Sequence, residues 1–149
     1  MFFPASVLLV IAAQWGWPLA ERPQPVRPFT PPPERWLSGH RGVDLPAETG
    51  QAVLAAGDGV VTVARKVAGR GVVTVTHANG LRTTYLPVDA GVTEGQRVRT
   101  GEALGTVSGP DGHCPKTCLH WGLLSGNLYL DPLHLVGLGQ VRLLPTREG

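Results

Sequence analysis

The tightest constraint on this chain is a repeated pattern of short β-branched runs cut by glycine. Gly59-Val60-Val61-Thr62-Val63-Ala64 is one run, and Gly69-Arg70-Gly71 follows as a turn. Val72-Val73-Thr74-Val75-Thr76-His77 is the next. Ala78-Asn79-Gly80 then supplies the Asn-Gly pair that suits tight hairpins, because both residues tolerate positive φ. Leu81-Arg82-Thr83-Thr84-Tyr85 returns antiparallel to the run before it. No stretch holds a sustained helical period of apolar residues. The expected fold is therefore all-β and mainly antiparallel. With 20 glycines, 14 prolines and only 16% charged residues, the composition suits a turn-rich β domain better than a helical bundle.

At 149 residues one domain is expected. Residues 1–20 carry the apolar run Val7-Leu8-Leu9-Val10-Ile11-Ala12-Ala13, which is short for a bilayer span and matches the core of a signal peptide. No Lys or Arg precedes it, and Pro18 departs from the small-residue pattern for cleavage after Ala20. A signal peptide or N-terminal anchor is expected here, with a buried strand or helix as the alternative. Residues 21–35 read as a linker, since Arg22-Pro23-Gln24-Pro25-Val26-Arg27-Pro28 and Pro31-Pro32-Pro33 favour polyproline II geometry. The β domain is expected over 36–136, with Trp36 anchoring its start, and 137–149 form a tail.

A net charge of +2 makes no case for nucleic acid. Any membrane contact is expected through residues 1–20 alone, and nothing in the chain demands a dimer. Cys114 and Cys118 are close enough for a disulfide within one loop if the chain is exported, whereas a reducing compartment would favour metal or redox chemistry. The phrase Gly95-Gln96-Arg97-Val98-Arg99-Thr100-Gly101-Glu102-Ala103-Leu104-Gly105 puts glycines around two short strands, with Val98 and Leu104 pointing inward. Lipoyl and biotinyl carriers share that phrasing. They need a lysine at a hairpin tip, and Lys66 and Lys116 are not so placed.

Chemistry concentrates in two stretches. Gly39-His40-Arg41-Gly42-Val43-Asp44-Leu45 holds an imidazole and a carboxylate, and Cys118-Leu119-His120-Trp121-Gly122 holds a second imidazole. His40, Asp44 and His120 make a two-histidine, one-carboxylate set, a recipe for Zn2+ with an open position. On a strand Cys118, His120 and Gly122 share one face, and Leu119 and Trp121 the other. A rival set of His113, Cys114, Cys118 and His120 has the residue types of a zinc knuckle, but the spacing is unfamiliar and it leaves out His40 and Asp44.

In this order the phrases resemble the lysostaphin/LytM-type zinc endopeptidases, which cut peptide cross-links in peptidoglycan. The resemblance runs over about residues 36–136. It takes in the 39–45 stretch, Ala55-Ala56-Gly57-Asp58-Gly59-Val60-Val61, the 75–85 hairpin, the 95–105 phrase, Leu119-His120-Trp121-Gly122 and Tyr129-Leu130-Asp131-Pro132-Leu133. It implies a lysostaphin-type fold (a duplicated hybrid motif resembling a barrel-sandwich) with His40, Asp44 and His120 as zinc ligands. It also implies a metal-activated water and peptidoglycan stem or cross-bridge peptides as substrate.

Two departures from the family pattern stand out. The family has a histidine where this chain has Cys118, and another where it has Pro87. By the resemblance those histidines handle protons and stabilise the transition state, and general acid–base groups are typically worth about 10² to 10⁴ in rate. His113 and His77 are the candidate replacements, although His77 would also serve by bonding to the adjacent turn. His134 reads as a surface residue. Arg41, Arg70 and Arg82 are candidate partners for substrate carboxylates, with solvated surface charge as the plainer reading. The expectation is a secreted or envelope-associated zinc metallopeptidase-like domain of reduced or lost activity. The alternative is a non-catalytic peptidoglycan-binding or regulatory module on the same fold.

Overall fold

The computed structural model describes residues 15–21, 25, 28–30, 41–111 and 114–137. His40, His113, Trp36, most of the 21–35 stretch and residues 138–149 lie outside the described residues.

Among the described residues ten strands follow in chain order: β1 (Val43–Pro46), β2 (Ala52–Leu54), β3 (Gly59–Val67), β4 (Arg70–Thr76), β5 (Leu81–Leu86), β6 (Val88–Ala90), β7 (Arg97–Val98), β8 (Ala103–Val107), β9 (Cys118–Ser125) and β10 (Leu128–Leu130). A 3₁₀ turn, Pro132–Val136, closes the described chain. Its first residues explain the Asp131-Pro132 pair: Asp131 Oδ1 accepts from the Leu133 N–H at 3.0 Å, and proline needs no donor there. The sheets are antiparallel throughout. A seven-stranded sheet runs β1-β9-β5-β4-β3-β7, with β10 also on β9, and a three-stranded sheet runs β2-β8-β6. Among the described residues no helix is long and apolar enough to cross a membrane.

The β3–β4 hairpin extends beyond its sequence expectation. The turn lies at Ala68-Gly69, both at positive φ (52° and 84°), and Arg70 already belongs to the returning strand. The strand stays extended through Ala64-Arg65-Lys66 to Val67, and the turn needs positive φ at both central positions, which glycine meets without strain only at the second. The next turn spans His77–Gly80. The Gly80 N–H bonds the His77 carbonyl, and the Leu81 N–H bonds Asn79 Oδ1.

Alternation along β9 divides the molecule into two faces. Leu119, Trp121 and Leu123 are buried, and Leu119 and Trp121 pack with Val43 and Leu45 of β1, Tyr85 of β5, and Val73 and Val75 of β4. The small sheet closes this side with Val53, Val88, Leu104 and Val107. His120 and Gly122 point to the other face, beside Leu86 and Thr84 of β5.

The packed unit begins upstream of residue 36. The Gly16 N–H bonds the Ala56 carbonyl, and the Leu54 N–H bonds the Pro18 carbonyl at 2.7 Å. Leu19 and Phe29 are buried, and the Trp17 ring lies 6.0 Å from that of Trp121. Residues 15–21 thus dock on the core side of the sheet, where their apolar side chains complete a surface the strands leave open.

Candidate functional site

Strand register makes the site. β1 pairs with β9 so that Asp44 lies opposite His120 and Pro46 opposite Cys118. Residues opposite each other on antiparallel strands share a face, so two side chains 76 residues apart meet. His120 Nδ1 lies 2.8 Å from Asp44 Oδ1. Asp44 is fully buried, and the His120 side chain keeps 16% exposure toward solvent.

Room for the imidazole comes from glycine. A Cβ at Gly42 would stand 2.6 Å from His120 Nε2 and 2.5 Å from the Trp121 carbonyl oxygen. A Cβ at Gly122 would stand 2.6 Å from Thr84 Oγ1. The sequence marks both glycines, but their role shows only once β1, β5 and β9 lie side by side.

His120 opens into a cleft of about 260 Å³ lined by Arg41, Arg70, Val72, Thr84, Leu86 and Tyr129. Arg41 sits over the Tyr129 ring, 5.5 Å from its centroid. Arg70 pairs with Asp111 at 3.1 Å. Arg82 is directed elsewhere, its guanidinium donating to the Gly126 carbonyl in the β9–β10 hairpin. Of the three candidate arginines, two reach the cleft.

Cys114 and Cys118 form a disulfide. One sulfur atom of each and a carboxylate oxygen of Asp44 all lie within 4.8 Å of one another. Pro87 follows the cis Leu86–Pro87 bond and borders a neighbouring hollow with Lys66, Asp89 and Ser108. Neither position offers an ionisable group to the cleft.

His77 is on the other face. Its backbone N–H bonds Leu81 across the turn, but its side chain reaches elsewhere. Nδ1 lies 2.8 Å from the Asp58 carbonyl and Nε2 lies 2.8 Å from Thr83 Oγ1. Thr83 in turn contacts Tyr85 Oη at 2.7 Å, and Tyr85 Oη accepts from the Ala56 N–H. The consistent direction is Ala56 N–H to Tyr85, Tyr85 O–H to Thr83, Thr83 O–H to Nε2, and Nδ1–H to Asp58, which leaves His77 neutral. Burial holds the His77 pKa below the usual imidazole value, opposed by the Asp58 carbonyl bond, and burial pushes Tyr85 up to about 12. The fold therefore does not bring His77 to His120. His134 is half-buried in the 3₁₀ turn rather than fully exposed.

The family model for peptidase family M23 matches residues 38–132. The chain belongs to peptidase family M23. That match spans both chemical stretches and the strands that join them. An uncharacterized protein of Mycobacterium tuberculosis is 44% identical over 140 residues, which is 90% of this chain and 56% of that protein. The peptidoglycan DD-endopeptidase ShyC of Vibrio cholerae is 33% identical over 98 residues, covering 64% of this chain and 22% of that enzyme. The chain thus spans only part of the length of the curated relatives it matches. Among solved structures, a zinc containing peptidase from Vibrio cholerae aligns with a TM-score of 0.68 at 26% identity, over 78% of this chain and 38% of that one. The all-β fold is the lysostaphin type that the resemblance implied. Membership in family M23 accounts for the order of the motifs.

The Asp44–His120 pair fits a zinc ion in its donor chemistry and nearly in its spacing. Tetrahedral zinc with bonds of about 2.0–2.2 Å separates two N/O ligands by about 3.3 Å. The pair at 2.8 Å is a hydrogen bond in which a proton on Nδ1 faces the carboxylate. An opening of about half an ångström and loss of that proton would admit the metal.

Proposed function

We propose that this chain is a zinc-holding peptidase-type domain that acts on peptidoglycan peptides at the cell envelope, with hydrolysis slow for its family. The observation that carries the reading is the buried Asp44 carboxylate held against His120 Nδ1 at the mouth of a cleft. His40, Asp44 and His120 would hold the metal. When bound, zinc supplies Lewis acidity toward a carbonyl and lowers the pKa of water.

The chain's own residues supply the rest. Val72 and Leu86 give the cleft an apolar floor suited to small aliphatic side chains. Arg41 and Arg70 flank that floor and suit a peptide carboxylate, since guanidinium pairs with carboxylate in bidentate fashion. Burial of Asp44 keeps bulk water from competing for its carboxylate. The relative that acts on peptidoglycan and the zinc containing structural neighbour support substrate class and metal. Slow turnover follows from Cys118 and Pro87, because neither can accept or donate a proton at neutral pH.

Those two positions also favour a second reading, a peptidoglycan-binding or regulatory module on the same fold. Digestion of cross-linked peptidoglycan by the zinc-loaded chain, read by mass spectrometry, separates the two. New peptide ends that vanish in His120→Ala identify a hydrolase. Co-sedimentation with wall material without new ends identifies a binding module.

A further inference from the structure

The Cys114–Cys118 disulfide is not needed to explain the Asp44–His120 pair, yet it lies against it. Cys114, Cys118 and Asp44 are all buried, at 8%, 4% and 0% exposure. Their ligand atoms fall within 4.8 Å of one another. Cys118 and His120 lie on the same face of β9, and the β1–β9 register places Asp44 opposite His120. One carboxylate is therefore shared between two potential ligand sets. One set is the N/O set of the proposed peptidase site, and the other contains two sulfurs.

We infer that reduction of the Cys114–Cys118 bond creates a second zinc-binding mode, in which Asp44, Cys114, Cys118 and His120 close around the metal. While the disulfide stands, neither sulfur is a thiolate and the site offers only nitrogen and oxygen. A dithiol reductant breaks the S–S bond, passing two electrons and two protons to the sulfurs and forming its own disulfide. Zinc then displaces both thiol protons to solvent as the two thiolates bind. The spread of the Asp44, Cys114 and Cys118 ligand atoms suits this, since tetrahedral zinc separates thiolate and oxygen ligands by about 3.3–3.8 Å, and His120 joins them through Asp44, whose Oδ1 its Nδ1 already meets at 2.8 Å. The peptide between the cysteines is short, and Pro115 and Lys116 within it are exposed, so the loop can shift without moving β9.

The two modes differ in consequence. A three-ligand N/O site keeps a position for water, whereas four protein ligands fill a tetrahedral zinc and leave none. Reduction thus converts an open metal site into a closed one with the metal still bound. This rests on the proposed peptidase reading for the open form but not for the closed form.

Cobalt(II) is the probe, because thiolate ligation gives an intense near-ultraviolet charge-transfer band that nitrogen and oxygen ligands lack. The full chain is titrated with cobalt(II) in its oxidised form, and again after dithiol reduction and anaerobic desalting. The reduced chain is expected to bind one cobalt with that band, and Asp44→Asn to weaken its binding by at least about tenfold. The oxidised chain is expected to bind cobalt without the band. A reduced chain lacking the band overturns the inference, and so does a band whose strength and affinity survive Asp44→Asn. The double variant Cys114→Ser, Cys118→Ser, checked for the native far-ultraviolet signature, must also lose the band. Cobalt uptake by the oxidised chain reports separately on the N/O site, so failure of one reading is not failure of the other.

Discussion

At the scale of single residues, the site depends on atoms that are missing as much as on those present. Gly42 leaves the space that His120 occupies, and a Cβ there would also press on the Trp121 carbonyl, which as backbone cannot move aside. Gly42→Ala should lower stability by about 1–3 kcal/mol through overpacking and also weaken zinc binding. Denaturant unfolding and a zinc titration on one preparation check both effects. His77 makes a different case. Its folded pKa lies below the ordinary value of 6.5, so the folded state binds fewer protons than the unfolded chain. Its contribution is complete above pH 6.5 and is lost as pH falls from there through the folded pKa. Thermal midpoints measured over that range should fall more steeply for the wild type than for His77→Gln, which is less stable overall but has no proton to gain.

Elements impose their own demands. The β3–β4 hairpin turns at Ala68-Gly69, and Ala68 holds φ at 52°, a region that costs an L-residue with a Cβ about 1–2 kcal/mol. Ala68→Asn places the favoured Asn-Gly pair at this turn, and Gly69 already supplies its second half. The substitution should raise stability by about 0.5–1 kcal/mol, read as a shift in urea midpoint with an unchanged slope. The β1–β9 pairing answers to a different requirement. Its register decides whether Asp44 meets His120, and a shift of one residue would send Asp44 into the core and Val43 to the cleft.

For the molecule as a whole, the core is completed by residues outside the strands. Leu19 is buried against the sheet, and Trp15 packs on the backbone at Gly57 and edge-on to His77, with ring centroids 4.7 Å apart. Leu19→Ala should cost about 2–5 kcal/mol, the range for emptying a buried leucine site. Chemical denaturation checks this, and a change within about 0.5 kcal/mol would mean that residues 15–21 do not dock in solution. The docked segment lies on the core side, so the variant should leave zinc affinity at Asp44 and His120 unchanged once the protein is folded.

Local periodicity carried a large part of this fold. Alternation with period two marked the strands, placed Cys118 and His120 on one face, and required no knowledge of partners. Glycine and proline fixed where strands break, because backbone sterics act within a few residues. The motif order was enough to suggest the family. Other features depended on which strands become neighbours, a long-range outcome of burying apolar area that no local window contains. Tertiary structure placed Asp44 against His120, put His77 on the opposite face with both nitrogens engaged, and gave Gly42 its purpose. It also drew Trp15, Trp17 and Leu19 onto a core that the Pro-rich stretch had suggested they would precede. Polypeptide sterics set the elements, and the packing of distant surfaces set the site.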